Sequence, residues 1–237
     1  MIIFDPHEFI VVLTGAGISA ESGIRTFRDN NGLWEEYPVE EVATPQAFER
    51  NPKLVWRFYN ERRKQLQSAR PNRAHFALAE IEEKMGENFL LITQNVDDLH
   101  ERAGSKNILH IHGELKKVRC TKCDYLEKRE DNLSELPICP KCFSLLRPHI
   151  VWFGETPFYL DVIYRVLKRC DWFIAIGTSG VVYPAAQFVQ EAKASDARTI
   201  CINPDPDASS QFFDYHFKEK AGDALTLYAS QWIKDVE

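Results

Sequence analysis

Two pairs of cysteines have the spacing of metal ligands. Cys120 and Cys123 form one C-x-x-C pair, and Cys139 and Cys142 form a second. Each pair can place two thiolates on one tight turn, and two such turns can close a tetrahedral shell of sulfur around Zn²⁺. Four protein ligands leave no open coordination position, so we expect a structural zinc site. Two disulfides or a redox-active pair are the alternatives.

A glycine-rich segment near the N-terminus could bind phosphate groups. Residues 9–13 are typical of a buried parallel strand. Gly15, Ala16, Gly17 and Ala20 follow as G-x-G-x-x-A, a dinucleotide-binding pattern. Gly15 would allow a tight turn, Gly17 the close approach of amides to a pyrophosphate, and Ala20 close helix–strand packing. The helix N-terminus would face the anion. A plain strand–turn–helix is the alternative.

Three further apolar runs end in small polar residues. They cover residues 89–93, 172–176 and 199–202, and each is typical of a buried strand. Because ligands bind outside the carboxyl ends of parallel strands, we expect the polar residues to face one crevice. Helical stretches at roughly 52–69, 72–85, 158–169 and 184–194 alternate with the strands, which predicts an α/β fold with helices on both faces of a parallel sheet.

The segment after Arg28 departs from the usual dinucleotide fold. That fold continues into a second strand and an acidic residue about 20 positions on, which binds the ribose. Residues 29–52 instead contain turn residues and prolines. We therefore expect an atypical Rossmann-like sheet.

Two histidines, His110 and His112, precede the cysteine pairs. In an extended segment they would share one face. His112 is the better candidate for a proton acceptor, because it precedes Gly113 in a predicted loop and an imidazole titrates near neutral pH. A structural histidine is the alternative.

Composition narrows the function classes. The net charge of −6 disfavours general nucleic-acid binding. No apolar run is long enough to span a membrane, and the N-terminus lacks the pattern of a signal peptide. We expect a cytoplasmic protein in which Cys170 and Cys201 are buried core thiols.

Together the motifs resemble, in order and spacing, the sirtuin family of NAD-dependent protein lysine deacylases. The resemblance covers nearly the whole chain. It implies one catalytic domain over residues 1–237, with a Rossmann-like part at 1–114 and 150–237, a zinc module at 115–149 and a cofactor loop at about 25–45. The motifs are GAGISAESGIRTFR at 15–28, TQNVDDLH at 93–100, HGE at 112–114, the four cysteines, GTS at 177–179 and the segment 203–205.

The resemblance also implies roles for individual residues. His112 would be the general base. Val151, Phe153, Gly154 and Glu155 would belong to the strand that docks the acylated-lysine peptide. NAD would be bound by Gly15, Ala16, Gly17, Ala20, Phe27 and Arg28, by Gln94, Asn95 and Asp97 at the nicotinamide end and its ribose, and by Gly177, Thr178, Ser179, Asn203, Pro204 and Asp205 at the adenosine end, with Ala221 near the adenine.

Tyr59 and Arg62 lie three residues apart on a predicted helix, and therefore on one face. From the residues alone, a solvated pair on a charged helix is the simpler interpretation. In the sirtuins that remove negatively charged acyl groups, a Tyr-x-x-Arg pair at this position binds the distal carboxylate. The resemblance therefore implies a succinyl- or malonyl-lysine substrate in addition to acetyl-lysine.

The implied reaction consumes NAD. The acyl oxygen attacks C1′ of the nicotinamide ribose, His112 deprotonates a ribose hydroxyl, and the products are lysine, nicotinamide and 2′-O-acyl-ADP-ribose. A mono-ADP-ribosyltransferase and an NAD(P) oxidoreductase with a structural zinc module are alternatives. The sequence sets neither the oligomeric state nor the physiological substrates.

Overall fold

The computed structural model describes residues 2–24, 33–34, 37–130, 136–180, 182–205 and 210–232. The strands are short. They are β1 (Ile10–Thr14), β2 (Leu33–Trp34), β3 (Tyr37–Pro38), β4 (Phe89–Thr93), β5 (Ile108–His110), β6 (Gly113–Cys120), β7 (Leu126–Lys128), β8 (Leu146–Ile150), β9 (Trp172–Ile176), β10 (Arg198–Ile202) and β11 (Tyr215–Phe217). Strands β1, β4 and β9 are buried on both faces.

The helices connect these strands and cover the sheet. They are α1 (Ala16–Ser19), α2 (Val39–Val42), α3 (Pro45–Arg50), α4 (Pro52–Ser68), α5 (Arg73–Met85), α6 (Leu99–Ala103), α7 (Leu160–Leu167), α8 (Phe188–Lys193) and α9 (Ala221–Trp232).

The main sheet has six parallel strands in the order β11–β10–β9–β1–β4–β5. The predicted parallel α/β fold is therefore confirmed. The strand order reverses on either side of β1, and such a reversal opens a crevice at the carboxyl edge. The predicted strands 89–93 and 172–176 match β4 and β9, β1 is shifted by one residue from 9–13, and β10 begins one residue before the predicted 199–202.

Both faces of this sheet are buried, which explains the uninterrupted apolar runs. Ile10 and Val12 of β1 pack on one face with helices α5 and α9, whereas Val11 and Leu13 pack on the other with α7 and α8. Side chains alternate along a strand, so β1 contributes to both cores.

A separate antiparallel sheet has the strand order β7–β6–β8. The four paired cysteines lie between the start of this sheet and its last strand, because β6 ends at Cys120 and β8 begins after Cys142. The chain leaves the parallel sheet and enters this one at Gly113, which is the register partner of Ile150 at the end of β8. Leu115, Val118 and Leu146 pack against helix α4, and so this smaller sheet shares a core with the helices that follow β1.

Helix α4 has clear start signals. Asn51 caps it by accepting a 3.1 Å hydrogen bond from the Leu54 amide, and Pro52 occupies the first helical position. Its buried face contains Val55, Trp56, Phe58, Tyr59, Arg62, Arg63 and Leu66. Two arginines on the buried face of a helix are unusual, because charged side chains are seldom buried unless they are paired. Their burial therefore indicates a structural or functional role.

Candidate active site

The glycines of the N-terminal motif allow two loops to touch. The Gly17 amide donates to the Gly177 carbonyl at 2.9 Å, which joins the ends of β1 and β9. A Cβ on Gly15 would lie 2.7 Å from the Gly177 oxygen, and one on Gly17 would lie 2.7 Å from the Gly177 Cα. Gly177 itself has φ +60°, in the left-handed region. The glycine requirement therefore arises from backbone packing between the two loops.

Two expectations for this motif need correction. Gly15 is extended at φ −122° and ψ −173°, so its backbone conformation alone would accept other residues. Ala20 is exposed and begins a 3₁₀ turn, so it does not supply the predicted close packing of helix on strand. Helix α1 itself is only four residues long.

The loop after β4 is held against this motif by side chains. Asn95 Nδ2 donates to the Gly15 carbonyl at 3.1 Å and to Ser19 Oγ at 3.2 Å. Ser19 Oγ in turn donates to Asp97 at 3.1 Å. Burial raises the pKa of the Asp97 carboxyl, while the Leu99 amide and Ser19 act in the opposite direction. Asn95 and Asp97 are thus fixed at the mouth of the crevice.

His112 lies in the turn after β5 and has a defined tautomer. Its Nδ1 lies 3.1 Å from the Gln94 carbonyl, and a carbonyl only accepts, so Nδ1 carries the hydrogen and Nε2 is the basic nitrogen. Burial lowers the pKa of His112, and the bond to Gln94 partly offsets this. The neutral, basic form is therefore favoured at neutral pH.

His110 and His112 do not share one face of a strand, because β5 ends at His110. The surroundings of His110 therefore differ from those of His112. Its Nδ1 lies 3.0 Å from the Asn95 carbonyl and its Nε2 lies 2.8 Å from Glu101. Both partners accept, and these contacts outweigh burial and raise the pKa of His110. His110 supports the Asn95 loop and is not a second base.

A buried polar network lies behind the loop. The Thr14 hydroxyl donates to Thr93 at 2.9 Å and contacts His100 Nε2 at 3.1 Å. The ring of His75 lies 4.8 Å from that of His100. Burial lowers the pKa of His75 to about 4 and the pKa of His100 well below its usual value. Both imidazoles are therefore neutral in the folded protein near pH 7.

The adenosine-end candidates form the other half of the crevice. Asn203 Nδ2 donates to the Thr178 carbonyl at 2.7 Å, and Asn203 Oδ1 accepts from the Asp205 amide at 3.2 Å. Pro204 and Asp205 are exposed. Ala221, predicted to lie near the adenine, is buried in the sheet core at the start of α9.

Tyr59 and Arg62 are both buried, which contradicts the interpretation as a solvated surface pair. Tyr59 is 0% exposed and Arg62 is 9% exposed. The phenol of Tyr59 accepts a 2.9 Å hydrogen bond from the indole of Trp152. Burial raises the pKa of Tyr59, and the charge of Arg62 acts in the opposite direction. A cation and a neutral hydroxyl therefore lie side by side inside the fold.

The segment 151–155 connects this pair to His112. The Val151 amide donates to the His112 carbonyl at 2.9 Å, and the Phe153 amide donates to the Ala43 carbonyl at 3.0 Å. Phe153 is 54% exposed. Gly154 has φ +88°, and a Cβ placed on it would meet no other atom within 4 Å. The outer side of the segment is therefore open.

Glu155 has an internal role in this structure. Its carboxylate accepts two hydrogen bonds from Arg147, at 2.7 and 2.9 Å, and one from the Trp152 amide at 2.8 Å. Arg119 lies 3.3 Å away. The pKa of Glu155 is lowered because these donors outweigh its burial. It therefore braces the segment from within.

The four paired cysteines come together as free thiols. The Sγ atoms of Cys120 and Cys142 lie 3.4 Å apart, and those of Cys123 and Cys139 lie 3.6 Å apart. All four sulfurs lie within 4.8 Å of one another. A closed set of four thiols fits one tetrahedral Zn²⁺ and contains no disulfide. Cys170 and Cys201 are buried elsewhere, as expected.

Two candidates, Phe27 and Arg28, lie outside the described residues. The structure also adds Ser19 and Trp152, which the sequence did not single out as site residues. Ser19 lies within the glycine motif and Trp152 within the predicted docking strand. Their positions in these motifs were the only sequence signal that they belong to the site. Their hydrogen-bond partners are distant in sequence and could not be inferred.

The strand order and the inserted four-cysteine sheet define a Rossmann-like α/β protein with a metal-binding module. A model of the Sir2 family matches residues 15–184, more than half of the chain. The chain therefore belongs to the Sir2 family, the sirtuins. Within the described ranges, no helix combines the length and apolarity needed to cross a bilayer.

Relatives agree with this assignment. The chain is 57% identical over 228 residues to an NAD-dependent protein deacylase of Pasteurella multocida (strain Pm70), covering 94% of this chain and 97% of the relative. It is 49% identical to an NAD-dependent protein deacylase of Escherichia coli (strain K12), covering 96% and 83% of the two chains. A Sir2 homologue solved in complex with NAD has a TM-score of 0.88 at 46% identity, with 95% and 90% coverage.

Proposed function

We propose that this protein is an NAD-dependent protein lysine deacylase in which His112 is the general base. The observation that carries the proposal is the orientation of His112. Its Nδ1–H is held by the Gln94 carbonyl at 3.1 Å, so Nε2 is left to accept a proton beside the crevice. Relatives at 49% and 57% identity are named NAD-dependent protein deacylases.

The crevice suits NAD. Gly15, Gly17 and Gly177 let the loops after β1 and β9 pack backbone to backbone, and Asn95 and Asp97 stand beside them at the mouth of the crevice. Bound NAD supplies the ribose that receives the acyl group. We assign the nicotinamide end to Gln94, Asn95 and Asp97. We assign the adenosine end to the loops that begin at Gly177 and Asn203. The remaining residues of the proposed NAD pocket are Ala16, Ala20, Phe27 and Arg28.

An acylated peptide would add to the segment 151–155. The amides of Val151, Trp152, Phe153 and Glu155 already donate within the chain. The Gly154 amide has no such bond among the described residues, and it lies where the backbone is open. A peptide strand can therefore pair with Gly154 and with the carbonyls of this segment, while exposed Phe153 covers the lysine stem.

We further propose that Tyr59 and Arg62 select acidic acyl groups. Val151 is bonded to His112 and Trp152 is bonded to Tyr59, so the base and the Tyr59–Arg62 pair lie on either side of one short segment. A buried guanidinium beside a phenol matches a distal carboxylate. Succinyl- and malonyl-lysine are the expected substrates in addition to acetyl-lysine.

The zinc site would hold the module together. Zn²⁺ bound by four thiolates has no open position, so it supplies stability and no catalytic step. In the reducing cytoplasm, where we place the enzyme, these thiols stay available for a metal.

The test is a panel of acetyl-, malonyl-, succinyl- and glutaryl-lysine peptides incubated with NAD. We expect nicotinamide and free lysine in equal amounts, with faster turnover of the acidic acyl groups. Nicotinamide release without free lysine would favour the ADP-ribosyltransferase alternative. NADH formation would favour an oxidoreductase.

A further inference from the structure

We propose that Trp152 is a positioning residue that directs the Tyr59 hydroxyl toward the distal carboxylate of an acidic acyl group. The inference rests on the proposed function, because it concerns how the Tyr59–Arg62 pair acts. Its basis is the 2.9 Å hydrogen bond from Trp152 Nε1 to the Tyr59 oxygen.

The direction of this bond determines where the phenol hydrogen lies. An indole N–H can only donate, so the Tyr59 oxygen is the acceptor and its own hydrogen points away from Trp152. Burial raises the pKa of Tyr59, so the phenol remains protonated and neutral. A neutral O–H of fixed direction can donate to a carboxylate, whereas a phenolate would repel it.

The indole is itself held in place. The Arg147 guanidinium lies 3.4 Å from the centroid of the Trp152 ring, and the Phe48 ring lies 5.4 Å away. Glu155 bonds both Arg147 and the Trp152 amide. Trp152 is 2% exposed. Packing and these contacts restrain the Trp152 side chain, and so they restrain the direction of its N–H.

This arrangement links two parts of the substrate site. The backbone of segment 151–155 faces the peptide and His112, while the Trp152 side chain reaches the acyl end. The same residue that shapes the peptide-docking segment thus sets the donor for the acyl carboxylate. Acetyl-lysine has no distal carboxylate, so it would not use this donor.

The experiment compares kcat/KM for succinyl- and acetyl-lysine peptides in Trp152→Phe, which keeps an aromatic ring and removes the N–H. We expect the succinyl-to-acetyl ratio to fall about five- to tenfold, which lies within the range for one neutral hydrogen bond. Trp172→Phe is the matched control. Trp172 donates to Glu8 at 2.8 Å at the opposite end of the sheet strands, so its loss should leave the ratio unchanged.

A double variant makes the test specific. In a Tyr59→Phe background the acceptor is gone, so Trp152→Phe should change the ratio by less than about twofold. If Trp152→Phe does not fold, benzothienylalanine at position 152 keeps the ring shape and replaces only the N–H by sulfur.

Two results would overturn the inference. One is an unchanged ratio when the indole N–H is removed, and the other is an equal fall with and without Tyr59. Failure of the proposed function would look different, because the wild-type enzyme would then show no acidic-acyl activity and Tyr59→Phe would not alter the ratio. Acidic-acyl activity that depends on Tyr59 and not on Trp152 would refute only the positioning role.

Discussion

Replacing Arg62 by methionine should convert the enzyme toward apolar acyl groups. Arg62 is 9% exposed beside fully buried Tyr59, so under the proposed function a succinyl carboxylate brought to this pair would lose its hydration and depend on the guanidinium. A hydrogen bond between charged groups contributes about 1.5–3 kcal/mol, which corresponds to a fall in succinyl kcat/KM of roughly 10- to 150-fold. Acetyl-lysine should be processed at a similar rate or faster, because methionine replaces a charge by an apolar side chain.

The neighbouring arginine supplies the control. Arg63 lies on the same helix, is 2% exposed and donates at 3.2 Å to the carbonyl of Arg129, the residue directly after β7. Arg63→Met should therefore lower the melting temperature and leave the succinyl-to-acetyl ratio intact. The assay measures kcat/KM for both peptides with each variant. Equal losses on both substrates in Arg62→Met would refute the recognition role and make Arg62 a structural residue.

Three further outcomes are expected. His112→Ala should lower kcat by about 10²- to 10⁴-fold without changing the melting temperature. In the wild type, kcat/KM should decline on the acid side only below pH 6.5, because burial lowers the pKa of His112 and the base acts when neutral. A decline in kcat/KM that begins above pH 7 as the pH is lowered would contradict this. Cys120→Ala should release zinc and lower the melting temperature, as measured by metal analysis and calorimetry, whereas Cys170→Ala should keep its metal. Unfolding free energy should fall as pH drops from about 6.5 to 4, by up to about 1.4 kcal/mol per pH unit for each neutral buried histidine, since the pKa of His75 is about 4 when folded and near 6.5 when unfolded. Urea titrations should show a shallower pH dependence in His75→Gln, which keeps an acceptor for the Asn72 amide.

Apolar runs bounded by glycine and proline were sufficient to predict most of the parallel sheet. Strands β4 and β9 match their predicted ranges because both faces are buried and the runs are continuous. Strands β5 and β11 have three residues each, too short to show a period, and neither they nor helix α9 were predicted.

The site was predictable where spacing determines geometry. The four cysteines and the glycines are local motifs, and their clustering follows from tight turns and strand ends. The partners of Glu155 and the burial of Arg62 depend on contacts between distant segments. Such contacts leave no local pattern, so the residue types alone could not assign them.

The paired positions of Gly113 and Ile150 also bear on how such enzymes diversify. A Cβ at Gly113 would lie 2.0 Å from the His149 carbonyl, so the departing and returning chains are pressed together where the smaller sheet begins. An insertion whose two ends lie side by side in this way can change in length or sequence between Gly113 and Ile150 without shifting the parallel strands. We therefore expect the module to tolerate changes of length and sequence, provided that Gly113 and the surface facing helix α4 are kept.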